Sequence, residues 1–120
     1  MSHAVLVVED DLDIQQALVE IIEEHGFSAV GVGDGSEALD FLRRARELPR
    51  LILLDLMMPL MDGATFRQEQ RQDPRLAPIP VVVLSAYRDL EAHARGLDAV
   101  SILRKPPNVR ELVAVLRAHC

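Results

Sequence analysis

Leu51-Ile52-Leu53-Leu54-Asp55 is the stretch whose reading decides the fold. Four successive aliphatic residues with no polar alternation read as a strand covered on both faces, as in a parallel sheet with helices above and below. The run ends on a carboxylate, Asp55. Working outward, Val81–Leu84 repeats the pattern and leads to Ser85, and Ala4–Val8 repeats it ahead of Glu9, Asp10 and Asp11. A weaker run covers Ser28–Val32, and a fifth, Ala99–Leu103, precedes Lys105.

The segments between these runs carry the helical period. Ile14, Ala17, Leu18, Ile21 and Ile22 fall on one stripe, with Asp11 placed to cap that helix and Gly26 to end it. Asp34 followed by Glu37 reads as a capping box ahead of Ala38, Phe41, Leu42 and Ala45, and Pro49 stops that element. Val109, Leu112, Val113 and Leu116 mark a last helix, with Asn108 as its cap. The helices after the third and fourth strands are less distinct. Arg67–Asp73 is almost wholly polar, and Asp89–Arg95 is short and ends at Gly96. Alternating strands and helices imply an α/β fold with right-handed crossovers, and five strands favour a doubly wound sheet. Residues 1–120 read as one domain, without a linker, repeat or low-complexity segment.

Composition bounds the function. A chain of 120 residues with 49% hydrophobic and 27% charged residues can bury one real core. Nineteen acidic against 13 basic residues give a net charge of −6, which argues against direct nucleic-acid binding. One cysteine, Cys120, cannot form an internal disulfide. Met1–Ala4 lacks the basic segment and apolar run of a signal peptide, and no apolar stretch approaches the ~20 residues that span a bilayer. A cytoplasmic, non-membrane protein is therefore expected. His3, His25, His93 and His119 are scattered, without metal-ligand spacing. Of the 13 basic residues only Lys105 is a lysine.

In doubly wound sheets ligands gather beyond the carboxyl ends of the strands. Glu9, Asp10 and Asp11 follow the first strand, Asp55 ends the third, Ser85 follows the fourth and Lys105 the fifth. Crowded carboxylates repel unless one takes a proton or a cation joins them. A hard divalent ion suits such oxygens, and Mg²⁺ combines one or two carboxylates with water and a phosphate. A carboxylate can itself attack phosphorus, with a cation and a lysine neutralising the charge on the transferring oxygens. Taken singly, Asp11 reads as a cap, Glu9 equally as a solvated residue or a ligand, Asp62-Gly63 as a turn and helix start and Ser85 as a cap. Capping does not require carboxylates and a lysine to converge at strand ends.

These motifs in this order resemble the bacterial response-regulator receiver domain across nearly the whole chain. Val7-Val8-Glu9-Asp10-Asp11 is similar to that family's acidic first loop, and Leu53-Leu54-Asp55-Leu56-Met57-Met58-Pro59-Leu60-Met61-Asp62-Gly63 to the segment around its phosphoacceptor. Val83-Leu84-Ser85-Ala86 resembles its hydroxyl-bearing strand end, and Arg104-Lys105-Pro106 its lysine motif. The resemblance implies a flavodoxin-like sheet of order 2-1-3-4-5 with five helices. It implies Asp55 as phosphoacceptor, with Mg²⁺ held by Glu9, Asp10, Asp55 and the Met57 backbone carbonyl, Glu9 acting through water. Ser85 would donate to the phosphoryl group, and Lys105 would pair with Asp55 at rest. The Lys105–Pro106 bond is often cis in this family. A sensor histidine kinase or phosphotransfer protein would be the donor, and an unknown downstream protein, or a second copy in a homodimer, the recipient of the signal. No output segment follows the last helix, so the chain either signals by binding or is a piece of something longer.

The chain departs from the family pattern in three respects. Ile102 stands where an aromatic switch residue is common, three before the lysine; it is expected to pack inward or to switch with a smaller change. Met57 and Tyr87 take the positions that tune phosphoryl hydrolysis, and neither is a strong base toward water. Pro107 replaces a frequent Phe and stiffens the start of the last helix. Two rival readings remain. A phosphatase using Asp55 as nucleophile would want a second Asp at Met57. A constitutive interaction module would not need Glu9, Asp10, Asp55, Ser85 and Lys105 together.

Overall fold

The structure, a computed structural model, describes residues 4–56, 63–85, 98–105 and 107–120. Five parallel strands form one sheet: β1 (Val5–Val8), β2 (Ala29–Val32), β3 (Leu51–Asp55), β4 (Val81–Ser85) and β5 (Ser101–Arg104). Their order is β2-β1-β3-β4-β5, as the family resemblance implied. Four helices lie among the described residues: α1 (Leu12–Glu24), α2 (Gly35–Arg44), α3 (Gly63–Gln72) and α4 (Val109–His119). The helix expected over Asp89–Arg95 lies outside the described residues, as do Met57, Tyr87 and Pro106.

Strand alternation divides the core into two layers. Leu6, Val8, Ile52, Leu54, Val81 and Val83 face one side and meet Ala38, Leu39 and Leu42 of α2 and Phe66 of α3. Val5, Val7, Leu51, Leu53, Val82, Leu84 and Leu103 face the other and meet Leu18 and Ile22 of α1 and Leu112 and Leu116 of α4. β1, β3 and β4 are buried along their whole length, which is why their sequences are continuous aliphatic runs. The edge strand β5 is not. Leu103 is buried, but Ile102 is 37% exposed, so it does not pack inward as one expectation allowed.

The helix signals act as read. Asp11 Oδ1 accepts from Asp13 N and Ile14 N, and Asn108 Oδ1 from Arg110 N. Gly26, at φ +91°, turns the chain out of α1. Asp34 Oδ1 accepts from Glu37 N at 2.9 Å; Glu37 Oε2 reaches back to Gly33 N at 2.7 Å rather than to the amide of Asp34 itself. His25 is exposed and places Nδ1 2.8 Å from Ile21 O at the end of α1.

The polar α3 is where sequence periodicity fell short. Its buried face is Gly63, Phe66, Arg67 and Gln70. Gln70 Nε2 donates to Leu76 O at 3.0 Å and Ile79 O at 3.1 Å. Gln70 Oε1 accepts from Arg67 Nη1 at 2.9 Å, and Arg67 Nη2 donates to Asp98 O at 3.2 Å. Two polar side chains thus fill core positions because each finds hydrogen-bond partners there.

Candidate functional site

Register brings the strand ends together. Val8 pairs with Leu54, so Glu9 and Asp55, one residue further on, leave adjacent central strands side by side. This is the switch point, where the chain winds from β1 to β2 in one direction and to β3 in the other. Asp55 pairs with Leu84 and Ser85 with Arg104, and Lys105 N donates to Ser85 O at 3.0 Å. Lys105 is thereby fixed just beyond the end of β4.

Lys105 Nζ lies 2.5 Å from Glu9 Oε1 and 3.0 Å from Asp55 Oδ2, bridging residues from three strand ends. Both carboxylates are buried; the lysine side chain keeps 15% of its surface. Asp10 is exposed beside them. Glu9, Asp10 and Asp55 can each bring one carboxylate oxygen within 4.8 Å of the others. Ser85 is buried at the adjacent strand end.

The electrostatics follow from that crowding. Burial, and then the facing Asp55 carboxyl, push the Glu9 carboxyl from its usual value up to about 8, against the pull of Lys105. Burial alone would lower the Lys105 ammonium, but Glu9 and Asp55 outweigh it and hold its pKa above the ordinary value. Glu9 Oε2 is buried without a hydrogen-bond partner among the described residues. Two facing carboxyls form a hydrogen bond only when one holds a proton, so the ionised Glu9 leaves this oxygen unsatisfied. Such an atom needs either a proton or a cation.

The backbone beneath is equally constrained. A Cβ on Gly63 would stand 2.8 Å from Asp55 O and 2.8 Å from Leu56 Cα, so only glycine lets α3 begin against the end of β3. Gly63 N donates to Leu56 O at 3.1 Å. The sequence reading took Asp62-Gly63 for a turn and helix start and missed this close approach.

The structure therefore brings together Glu9, Asp10, Asp55, Ser85 and Lys105 at one edge of the sheet. Asp11 serves as a cap. Glu9 is fully buried, which removes the solvated alternative.

The family profile described as the response regulator receiver domain matches residues 5–117. The chain belongs to the response-regulator receiver family. Similar proteins include the DNA-binding response regulator MtrA of Mycolicibacterium paratuberculosis, 37% identical over 99% of this chain and 52% of that protein. The phosphate regulon transcriptional regulatory protein PhoB of Escherichia coli is 35% identical over 98% of this chain and 52% of that protein. This receiver thus spans about half the length of these curated relatives. Among solved structures, the signal receiver domain of a signal transduction histidine kinase from Syntrophus aciditrophicus superposes with a TM-score of 0.87 at 30% identity, covering 98% of this chain and 89% of that one. The chemotaxis protein CheY4 of Vibrio cholerae gives 0.85 at 26% identity, covering 99% and 100%. No helix among the described residues is long and apolar enough to cross a membrane.

Proposed function

We propose that this receiver is a phosphorylation switch of the cytoplasm in which Asp55 accepts a phosphoryl group from a sensor histidine kinase or a phosphotransfer protein. The observation that carries the reading is the bridge of Lys105 Nζ to both Asp55 and Glu9 beside an unsatisfied buried Glu9 oxygen. It supports a site whose Glu9 takes either a proton or a cation and which presents one carboxylate to an incoming phosphorus.

The donor set fits Mg²⁺: hard oxygens, two carboxylates at adjacent strand ends and a third at the rim. Asp10 and Asp55 would hold the ion, Glu9 through water, and the Met57 carbonyl would complete the protein ligands. When bound, Mg²⁺ neutralises charge on the phosphoryl oxygens. In the transfer an Asp55 carboxylate oxygen bonds to phosphorus while the bond from phosphorus to the donor imidazole nitrogen breaks, its electron pair staying on the imidazole. Lys105 passes from its pairing with Asp55 to the phosphoryl oxygens, and the Ser85 hydroxyl donates to them. The residues support self-catalysed transfer, not turnover of a free substrate.

Output would be altered binding to a downstream protein or to a second copy of the chain. MtrA is named as a DNA-binding regulator, but the acidic balance of this chain, −6, favours protein contact for the receiver itself. Residues 1–120 would act as one receiver unit. Ile102, aliphatic and 37% exposed, would couple phosphorylation to the β5 face through packing and not through a ring. Met57 and Tyr87 would screen the phosphoryl group from water, so Met57→Asn is expected to shorten the phosphorylated half-life severalfold, read by phosphoryl loss in intact mass.

The deciding test is intact mass after incubation with acetyl phosphate and Mg²⁺. A Mg²⁺-dependent phosphoryl adduct on the wild type and none on Asp55→Ala is expected. A folded wild type that takes no adduct from acetyl phosphate or from a phosphorylated histidine kinase points instead to a constitutive interaction module.

A further inference from the structure

We infer that Gln15, one turn into α1, is a positioning residue for the acidic pair, latching the peptide plane from which both Glu9 and Asp10 diverge; this rests on the Mg²⁺ reading above. Gln15 Nε2 donates to Glu9 O at 3.0 Å and to Val32 O at 2.9 Å. Glu9 O belongs to the peptide that joins Glu9 to Asp10. Glu9 N donates in turn to Val32 O at 3.0 Å. The last carbonyl of β2 therefore receives both the amide of Glu9 and the carboxamide that holds the carbonyl of Glu9.

The helix that carries the latch is itself anchored at the far end of the same loop. Asp11 caps α1 through Asp13 N and Ile14 N, and Gln15 N donates to Asp11 O at 2.8 Å. Glu9, Asp10 and Asp11 thus sit between a cap and a carboxamide clamp. Rotation of the peptide between Glu9 and Asp10 would swing two candidate ligands at once, so fixing it pre-organises the ion site.

β2 is shaped to admit this side chain. A Cβ on Gly31 would fall 2.4 Å from Gln15 Oε1, 2.5 Å from Cδ and 2.6 Å from Cγ. Gly31 does not adopt a positive φ, so its backbone does not require glycine; the space for Gln15 does. An alanine there would push the carboxamide off its acceptors while leaving every ligand and Gln15 itself in the sequence.

Mg²⁺ alone is the probe. Its dissociation constant is measured by calorimetry on wild type, Gln15→Ala, Gly31→Ala, the double variant and Asp10→Ala, with urea unfolding in EDTA followed by far-UV circular dichroism. Each single substitution is expected to weaken Mg²⁺ about tenfold, the lower end for supporting partners of metal ligands. The double variant is expected to bind no more weakly than Gln15→Ala, because without the carboxamide the new methyl at position 31 displaces nothing. Gly31→Ala should stay folded in EDTA, alanine being at least as good as glycine in a strand. Singles that bind Mg²⁺ within twofold of wild type, while Asp10→Ala loses binding, overturn the latch and leave the metal reading standing. Losses that multiply in the double variant also overturn it, since Gly31 would then act by another route. A wild type that binds no Mg²⁺ removes the metal reading and this inference with it.

Discussion

At the scale of single residues, opposing local preferences are decided by magnitude. Gly63 opens α3, where helix propensity alone favours alanine by about 1 kcal/mol. Against that stand two contacts of 2.8 Å to the backbone of Asp55 and Leu56, which a Cβ cannot keep and a rigid strand end cannot readily give. Gly63→Ala is expected to destabilise by about 2 kcal/mol, within the usual range for overpacking, and to lower phosphorylation of Asp55 by displacing its carbonyl. Urea unfolding and the acetyl phosphate assay read the two effects; a stabilised, fully phosphorylated variant would show that the helix shifts freely. Asp11 poses the converse question, ligand or cap. Its oxygen accepts from two amides of the first turn of α1, so Asp11→Ala should cost about 1 kcal/mol and Asp11→Ser recover most of it. Mg²⁺ affinity should stay within about threefold in both, whereas Asp10→Ala abolishes it.

At the scale of elements, α3 shows what periodicity in sequence can and cannot reveal. Arg67 and Gln70 are polar letters on a buried face, so the apolar stripe of α3 is reduced to Phe66 and its pattern is lost. What makes them core residues is the loop they serve: Gln70 satisfies Leu76 O and Ile79 O, and Arg67 reaches Asp98 O across to the approach of β5. No signal in the segment itself announces that; only the loop Pro74–Pro80, whose prolines supply no N–H, hints that its carbonyls use outside donors. Gln70→Leu fills similar space but removes a donor from Leu76 O and from Ile79 O and an acceptor from Arg67 Nη1. It should destabilise by about 2–3 kcal/mol, measured as a lower urea midpoint with unchanged slope. An exposed Gln on the same helix, Gln68, changed to Leu, should have an effect under about 0.5 kcal/mol. Similar effects at both positions would deny the network its role. The neighbouring helix end is held in the same manner: Arg75 Nη1 donates to Leu42 O and Nη2 to Ala45 O, a cation from a loop capping the last carbonyls of α2.

At the scale of the whole molecule, the sheet was legible because β1, β3 and β4 are covered on both faces and had to be aliphatic throughout. β5 was read one or two residues early because its edge position leaves Ile102 and Arg104 exposed and blurs the pattern. The residues of the site were legible as types at strand ends; their pairing was not, since the contact of Lys105 with Glu9 joins positions 96 residues apart and depends on register. That convergence has a consequence for the stability of the entire fold. In the metal-free protein the Glu9 carboxyl is raised from 4.5 to about 8, so the native state holds a proton that the unfolded chain releases. The stability this contributes is complete below about pH 4.5, declines as pH rises, and is gone above about pH 8, with a slope of at most about 1.4 kcal/mol per pH unit. Lys105 does not offset the decline, because its own pKa is raised and its contribution persists until pH passes above its ordinary value. Unfolding by urea in EDTA should therefore show a loss of about 1–3 kcal/mol between pH 5 and pH 8, largely removed in Glu9→Gln. Mg²⁺ competes for the same ionised carboxylates, so its stabilisation should grow over that window. A metal-free stability that is flat or rises across it would mean that Glu9 is ionised at rest, with Lys105 alone sufficient to hold two buried carboxylates.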